Sequence, residues 1–425
     1  MAATTLIIYV QPSYSQTTVL FSPNGGVKQE IVNSLKSAQC SIDAALYSFS
    51  DKEIWKHLNE AANRGVEVRL VLNKSAFKSA KTSCKNCDML LSNGGKVKFH
   101  SLTMHHKFSV IDKNCKDRTP QVLTGSGNWS TSSSALYDED FLKYTSSDSV
   151  LPQALVGFSN EFSFIWNYSR SYPDHVQTPN TDFIPTRTSS FLFTSQNMYP
   201  RPYRGNWTFS KKRDLKTGLA GKKIIEEIDS AEKEVLIATA HFRRPDIFEA
   251  LKRAKSRGVE VVLVTDGQEF SRVRPPQCNE GERNDKYLDE CLELESIGKV
   301  FYKYYSVVWD YRKAKQMHSK YVVIDRKKVL TGSFNWSYTA EFKNLENLVE
   351  VTNLRAVKKY ATNFSELLEY GQGSQSAQGG QNGLEKLLNL IQKRGGKGPC
   401  HFTPMTVKGR DILKIRSLIK RDYCR

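Results

Sequence analysis

The stretch MHSKYVVIDRKKVLTGSFNWS, residues 317 to 337, sets a histidine, a lysine, an aspartate and a Gly-Ser-x-Asn in otherwise strand-like sequence. Tyr321, Val322, Val323 and Ile324 are aromatic or β-branched, Asp325-Arg326-Lys327-Lys328 is turn-like, and Val329 and Leu330 resume an apolar run, which predicts a β-hairpin. Residues two apart on a strand share a face. His318 and Lys320 therefore project together, as do Ser333 and Asn335 if the returning strand stays extended through its glycine. One patch then holds an imidazole, an ammonium, a hydroxyl and an amide. That set supplies a nucleophile or acid, a fixed positive charge and neutral donors, which is what a tetrahedral anion such as phosphate requires. A single copy also reads as a surface hairpin with incidental polar residues.

The pattern occurs twice. In MHHKFSVIDKNCKDRTPQVLTGSGNWS, His105, Lys107, Asp112, Gly125, Ser126 and Asn128 repeat the order, and both copies continue into Trp-Ser at Trp129-Ser130 and Trp336-Ser337. Upstream, ANRGVEVRLVL (62 to 72) matches KSRGVEVVLVT (255 to 265), each after an amphipathic helical stretch and an apolar run, SIDAALYSF and EVLIATAHF. The chain reads as two copies of one unit, each with half a site.

These residues resemble the phospholipase D superfamily, marked by His-x-Lys-x4-Asp followed by Gly-Ser-x-Asn. The signature stands here as His105-x-Lys107-x4-Asp112 and His318-x-Lys320-x4-Asp325, and the resemblance covers roughly residues 17 to 370. In motif style it is similar to the Nuc-type endonucleases and to the Zucchini and mitochondrial cardiolipin hydrolase-type members. NLENLVEV places Glu346 where the family has a carboxylate that orients the histidine. YDEDFLKY offers Glu139 as the counterpart, with Asp140 in place of the asparagine at Asn347. Twelve residues separate Asp112 from Gly125, against six between Asp325 and Gly332, an insertion that lengthens the hairpin turn and leaves the strand faces usable.

The resemblance implies a two-histidine mechanism. Cleaving a phosphodiester needs an attacker on one side of phosphorus and a proton donor for the leaving oxygen on the other. His105 is assigned as nucleophile, forming a phosphohistidine, and His318 as the acid that later activates water. Glu139 and Glu346 set these roles at Nδ1. Lys107, Lys320, Asn128, Asn335, Ser126 and Ser333 hold the non-bridging oxygens, and Asp112 and Asp325 brace the fold. No metal and no other cofactor is implied.

Composition bounds the partner. Of 425 residues, 39% are hydrophobic and 25% charged, ordinary for a globular chain with room for two cores, but the net charge of +18 favours a polyanion, nucleic acid or an anionic lipid surface. GQGSQSAQGGQNG (371 to 383) reads as a flexible linker, and the tail beyond it carries a net +8. The tail predicts two short basic helices, with Leu384, Leu387, Leu388 and Ile391 on one face of the first. They fit a phosphate-backbone clamp, packing on the core, or contact with anionic lipid. The second copy has about twenty extra residues before its signature. Of these, Phe301, Tyr302 and Tyr304 read as a sheet strand, while Trp309, Tyr311, Arg312 and Lys313 are candidates for substrate contact at the rim.

Other residues carry weaker signals. Cys84-x-x-Cys87 has metal-ligand spacing without a matching second pair, so paired or exposed structural cysteines are expected. Eight cysteines at irregular positions neither establish nor exclude a disulfide framework. His106 falls on the opposite strand face from His105 and Lys107. His241, at the end of LIATAHF, either lines the cleft or is structural. MAATTLIIYVQPSYSQ has no basic n-region and is too short to cross a bilayer, so a soluble chain without a convincing signal peptide is expected, a leader removed earlier remaining open.

The expected architecture is α/β: two phospholipase D-like α/β sandwich lobes with pseudo-twofold symmetry and the active site at their interface. Lobe 1 takes residues 1–167, the connection 168–218, lobe 2 219–370, the linker 371–383 and the tail 384–425. With both half-sites in one chain, no homodimer is needed for catalysis. The first function is a metal-independent nuclease on DNA or RNA. A phospholipase D or cardiolipin hydrolase is the alternative, and a catalytically idle nucleic-acid-binding protein the third.

Overall fold

A computed structural model describes residues 17–74, 84–183, 186, 188–204, 206–272, 292–310, 312–369, 383–419 and 424. In lobe 1 the sheet strands are β1 (Thr18–Ser22), β2 (Ser41–Leu46), β3 (Glu67–Asn73), β4 (Lys96–His100), β5 (Lys107–Ile111), β6 (Gln121–Gly125), β7 (Glu139–Tyr144) and β8 (Arg170–Ser171). Lobe 2 has β9 (Phe191–Phe193), β10 (Glu234–Thr239), β11 (Glu260–Asp266), β12 (Lys299–Ser306), β13 (Lys320–Ile324), β14 (Lys328–Gly332), β15 (Asn347–Val351) and β16 (His401–Val407). The sheet orders are β1-β7-β6-β5-β2-β3-β4-β8 and β9-β15-β14-β13-β10-β11-β12-β16, so the two lobes correspond strand for strand.

In each lobe the three parallel strands are joined through helices, as crossovers between parallel strands require. Except for β4, they are apolar along most of their length because both faces are covered. Asp51 caps the helix Lys52–Asn63 by accepting from the backbone N–H groups of Glu53 and Ile54, and Pro245 opens the matching helix Pro245–Ser256. The antiparallel hairpins β5–β6 and β13–β14 carry the two signatures. One apolar cluster lies on the outer face of each sheet. A third joins the inner faces of both through the helices Leu151–Asn167 and Leu354–Glu369, with Phe158 and Tyr360 wholly buried. That shared core fixes the two signature hairpins relative to each other.

The tail is part of lobe 2. Residues 371–382 of the expected linker lie outside the described residues. Beyond them β16 pairs antiparallel with β12 and closes the sheet edge, while Leu387, Leu388, Ile391, Ile412 and Ile415 join the outer core of that lobe. The Cys400–Cys424 disulfide ties this segment together. Two further disulfides link Cys40 to Cys115, which pins the extra turn of the first signature, and Cys84 to Cys87, so the latter are paired structural cysteines as expected. The inter-lobe connection contains an antiparallel hairpin, Met198–Tyr203 with Asn206–Lys211. Among the described residues, no helix is long and apolar enough to cross a membrane.

Candidate active site

Each signature histidine is held by the other lobe. Thr103–Met104 pairs in parallel with Asn344–Leu345, and the His105 backbone N–H donates to Leu345 O at 2.9 Å. Reciprocally, Asp138 bridges Met317, and the His318 backbone N–H donates to Asp138 O at 2.9 Å. These contacts set each histidine beside the carboxylate that follows its bridging partner. His105 Nδ1 lies 2.8 Å from Glu346 Oε2, and His318 Nδ1 lies 2.8 Å from both oxygens of Glu139. Each carboxylate thus serves the histidine of the opposite copy.

Lys107 and Lys320 project on the same strand faces as their histidines, and each ammonium donates to the carbonyl of its histidine two residues back. Burial pulls Lys107 down to about 7 and Lys320 to about 8. Burial, followed by the charges of Lys107 and Lys320, holds His105 well below the usual imidazole range. Burial also lowers His318, to about 4, with Lys320 and Lys107 again acting against its charged form and Glu139 supporting it. Both lysines thus act on both histidines, and the four groups form one site.

The two carboxylates differ. Burial opposes ionisation of Glu139, but His318, Lys320 and the hydroxyl donors outweigh it: Ser133 Oγ donates at 2.6 Å and Ser126 Oγ at 2.7 Å. Glu346 receives Asn344 Nδ2 at 3.0 Å, and burial raises its carboxyl to about 7. Ser126 and Ser333 are wholly buried, Ser126 bonded to Glu139 and Ser333 accepting the Asn347 backbone N–H at 3.0 Å. Both follow the glycines that end β6 and β14, Gly125 and Gly332, whose φ values of 150° and 134° break the strand alternation. Asn128 and Asn335 each keep a side-chain oxygen with no hydrogen-bond partner among the described residues.

Asp112 accepts from the backbone N–H groups of Gln39, Cys40 and Ser41, and Asp325 from those of Glu232, Lys233 and Glu234, so both brace a hairpin turn against the start of a parallel strand. His106 is wholly buried between Glu161 and Asn347. Asp140 is likewise buried, accepting from Thr331 and from Tyr360 OH, where Asn347 pairs with Thr124. Trp309 is 45% exposed and lines a cavity of about 310 Å³ with Gln268, Tyr305 and Arg416. Arg312 pairs with Asp310, Lys313 is exposed, and Tyr311 lies outside the described residues. No hydrogen bond or ion pair among the described residues ties 309–313 to the signatures.

Sequence reasoning missed several neighbours. Tyr47 packs on His105 with ring centroids 4.5 Å apart, and Tyr137 on His318 at 5.9 Å. Thr194, from the inter-lobe connection, donates to Asn344 O and accepts the Glu346 backbone N–H, each at 2.8 Å, which buttresses that carboxylate. Tyr47 stands at the end of the SIDAALYSF strand and was open to detection there. Thr194 has no local signal.

The family model for the phospholipase D-like domain of cardiolipin synthase matches residues 31–166 and 224–368. The chain is similar to a phospholipase D of Rickettsia prowazekii, 25% identical over 147 residues that make up 34% of this chain and 60% of the relative. It is also similar to a mitochondrial cardiolipin hydrolase of Danio rerio, 24% identical over 182 residues, 42% of this chain and 66% of the relative. The chain thus spans about three fifths of the length of the first of these relatives. In fold it is similar to phosphatidylserine synthase of Haemophilus influenzae, with a TM-score of 0.51 at 15% identity over 82% of this chain and 86% of that one. With the family model matched once in each lobe, the chain belongs to the phospholipase D-like domain family and carries the domain twice.

Proposed function

We propose that the chain is a phosphodiesterase working through a phosphohistidine, with nucleic acid, DNA or RNA, as its substrate. The observation that carries the reading is the pair of imidazoles, each with Nδ1 on a carboxylate of the other lobe and both under the charge of Lys107 and Lys320. A carboxylate at Nδ1 leaves Nε2 for chemistry. His105 Nε2 attacks phosphorus, the bond to the leaving oxygen breaks, and His318 protonates that oxygen. His318 then takes a proton from water, the oxygen of which attacks phosphorus and releases His105. Lys107, Lys320, Asn128 and Asn335 neutralise and orient the non-bridging oxygens, while Ser126 and Ser333 position the carboxylates. Glu139, kept ionised with Ser126 and Ser133 as donors, supports the charged form of His318, which suits that histidine to the role of acid.

The net charge of +18 supports a polyanionic substrate. An inter-lobe cavity of about 580 Å³ next to Asp138, lined also by Arg355, Lys358 and Lys359, adds to it. The names of the relatives favour a second reading, hydrolysis of an anionic phospholipid by the same chemistry. Incubation in EDTA with single- and double-stranded DNA, RNA and cardiolipin vesicles tests both. Cleavage of nucleic acid is expected. Turnover of cardiolipin alone assigns the lipid reading, and binding without turnover of anything leaves an idle nucleic-acid-binding protein.

A further inference from the structure

The half-sites differ at one facing position. β10 runs antiparallel to β13 with Thr239 opposite Lys320, and the Ala240 N–H donates to Ser319 O at 2.9 Å, so the ladder continues and sets His241 opposite His318. Opposed residues share a face, with Cβ atoms roughly 4.5–5.5 Å apart. His241 therefore leaves the sheet on the side of His318 and Lys320. In lobe 1 Leu46 pairs with Lys107 and the Tyr47 N–H donates to His106 O at 2.9 Å, which makes Ser48 the position equivalent to His241. The bridges of Phe49 to Trp129 and Phe242 to Trp336 fix the equivalence. An imidazole in lobe 2 thus answers a small hydroxyl in lobe 1.

His241 is anchored like the signature histidines. Its Nδ1 lies 3.0 Å from Glu269 Oε1, and Glu269, wholly buried, also receives Arg243 Nη2 at 2.9 Å. Burial would raise this carboxyl, but His241 and Arg243 override it and hold it at about 2. An ionised partner fixes the proton on Nδ1 and leaves Nε2 as a lone-pair acceptor. Burial, against the pull of Glu269 and aided by the charges of Arg243 and Lys320, lowers the ring, which favours the neutral form. Nε2 has no hydrogen-bond partner among the described residues, and the side chain is 29% exposed. An acceptor suits neither a phosphate oxygen nor a cation site crowded by lysines. It suits a hydroxyl.

We propose that His241 is a binding residue whose Nε2 accepts a hydrogen bond from a substrate hydroxyl beside the scissile phosphodiester, the 2′-hydroxyl of RNA or a glycerol hydroxyl of a phospholipid headgroup. The inference rests on the phosphodiesterase reading. The chain and its His241→Ser variant are compared on an RNA and a DNA oligonucleotide of one sequence, and on phosphatidylglycerol and phosphatidylpropanol vesicles, with melting curves showing that both proteins fold. The wild type should favour the hydroxyl-bearing member of its substrate pair by about tenfold in kcat/KM, and the variant should bring the ratio to about one. A ratio that His241→Ser leaves unchanged overturns the proposal. If the wild type turns over neither pair, the phosphodiesterase reading falls separately, and the RNA-to-DNA affinity ratio of the two proteins decides the hydroxyl contact.

Discussion

His105 Nδ1 and Glu346 Oε2 stand 2.8 Å apart although they lie 241 positions apart in the chain, and they belong to different copies of the duplicated unit. The mirror contact joins His318 to Glu139. Each half-site is therefore completed by the other lobe, and folding both lobes against their shared core is a condition for orienting either imidazole.

Glu346→Gln keeps the shape of the contact but removes the charge that selects the Nδ1–H tautomer. We expect kcat to fall by about 10²–10⁴-fold, in the range of general acid–base and tautomer losses, with little change in melting temperature. Glu139→Gln should act alike on His318. Steady-state kinetics with a parallel melting curve checks this, and a variant within about twofold of wild type would remove the orienting role.

The pH profile follows from the shifts at the site. Burial places the Glu346 carboxyl at about 7, so it is an anion above that pH and loses the charge that holds His105 as pH falls through it. Burial places Lys107 at about 7 and Lys320 at about 8, so the positive charge that holds phosphate is lost as pH rises through those values. With His318 as the acid at about 4, its loss of charge offsets the gain of the Glu346 anion, so kcat/KM should stay level from about pH 5 to 7 and fall above that through His318 and the lysines. Measurement from pH 5 to 9 decides it, and a flat profile contradicts the assignment.

Much of this was legible in the residues. The hairpin Lys320–Ile324 with Lys328–Gly332 forms where the aromatic and β-branched run and its turn place it, and His318 and Lys320 share a face because the strand alternates. The exchange of carboxylates was not legible, because within one copy Glu346 is nearest in sequence to His318, and only the pairing of Thr103–Met104 with Asn344–Leu345 sends it to His105. The course of the chain at Ser126 and Ser333 was not legible either, because Gly125 and Gly332 before them turn it out of the strand alternation. The tail strand HFTPMTV carries a proline and no clean alternation, which an edge strand tolerates and a sequence pattern hides.

The tail supplies core to lobe 2. Ile415→Ala, at a wholly buried position, should cost about 2–5 kcal/mol in global unfolding. Removing residues 383–425 should expose the β12 edge and unfold lobe 2 rather than weaken substrate binding alone. Denaturant unfolding tests both, and a truncated chain with native stability would return the tail to a separate unit.

The most direct measurement is of the covalent intermediate. A substrate with a good leaving group, such as a p-nitrophenyl phosphodiester, needs little protonation, so a His318→Asn variant should still let His105 attack and then stall for want of a base to activate water. Mass spectrometry after brief incubation should find an acid-labile, alkali-stable phosphoryl adduct on His105 in that variant and no adduct in His105→Asn. An adduct on His318 in the reverse pattern would exchange the two roles. Absence of any adduct in both variants, with the wild type active on the same substrate, would contradict the covalent mechanism.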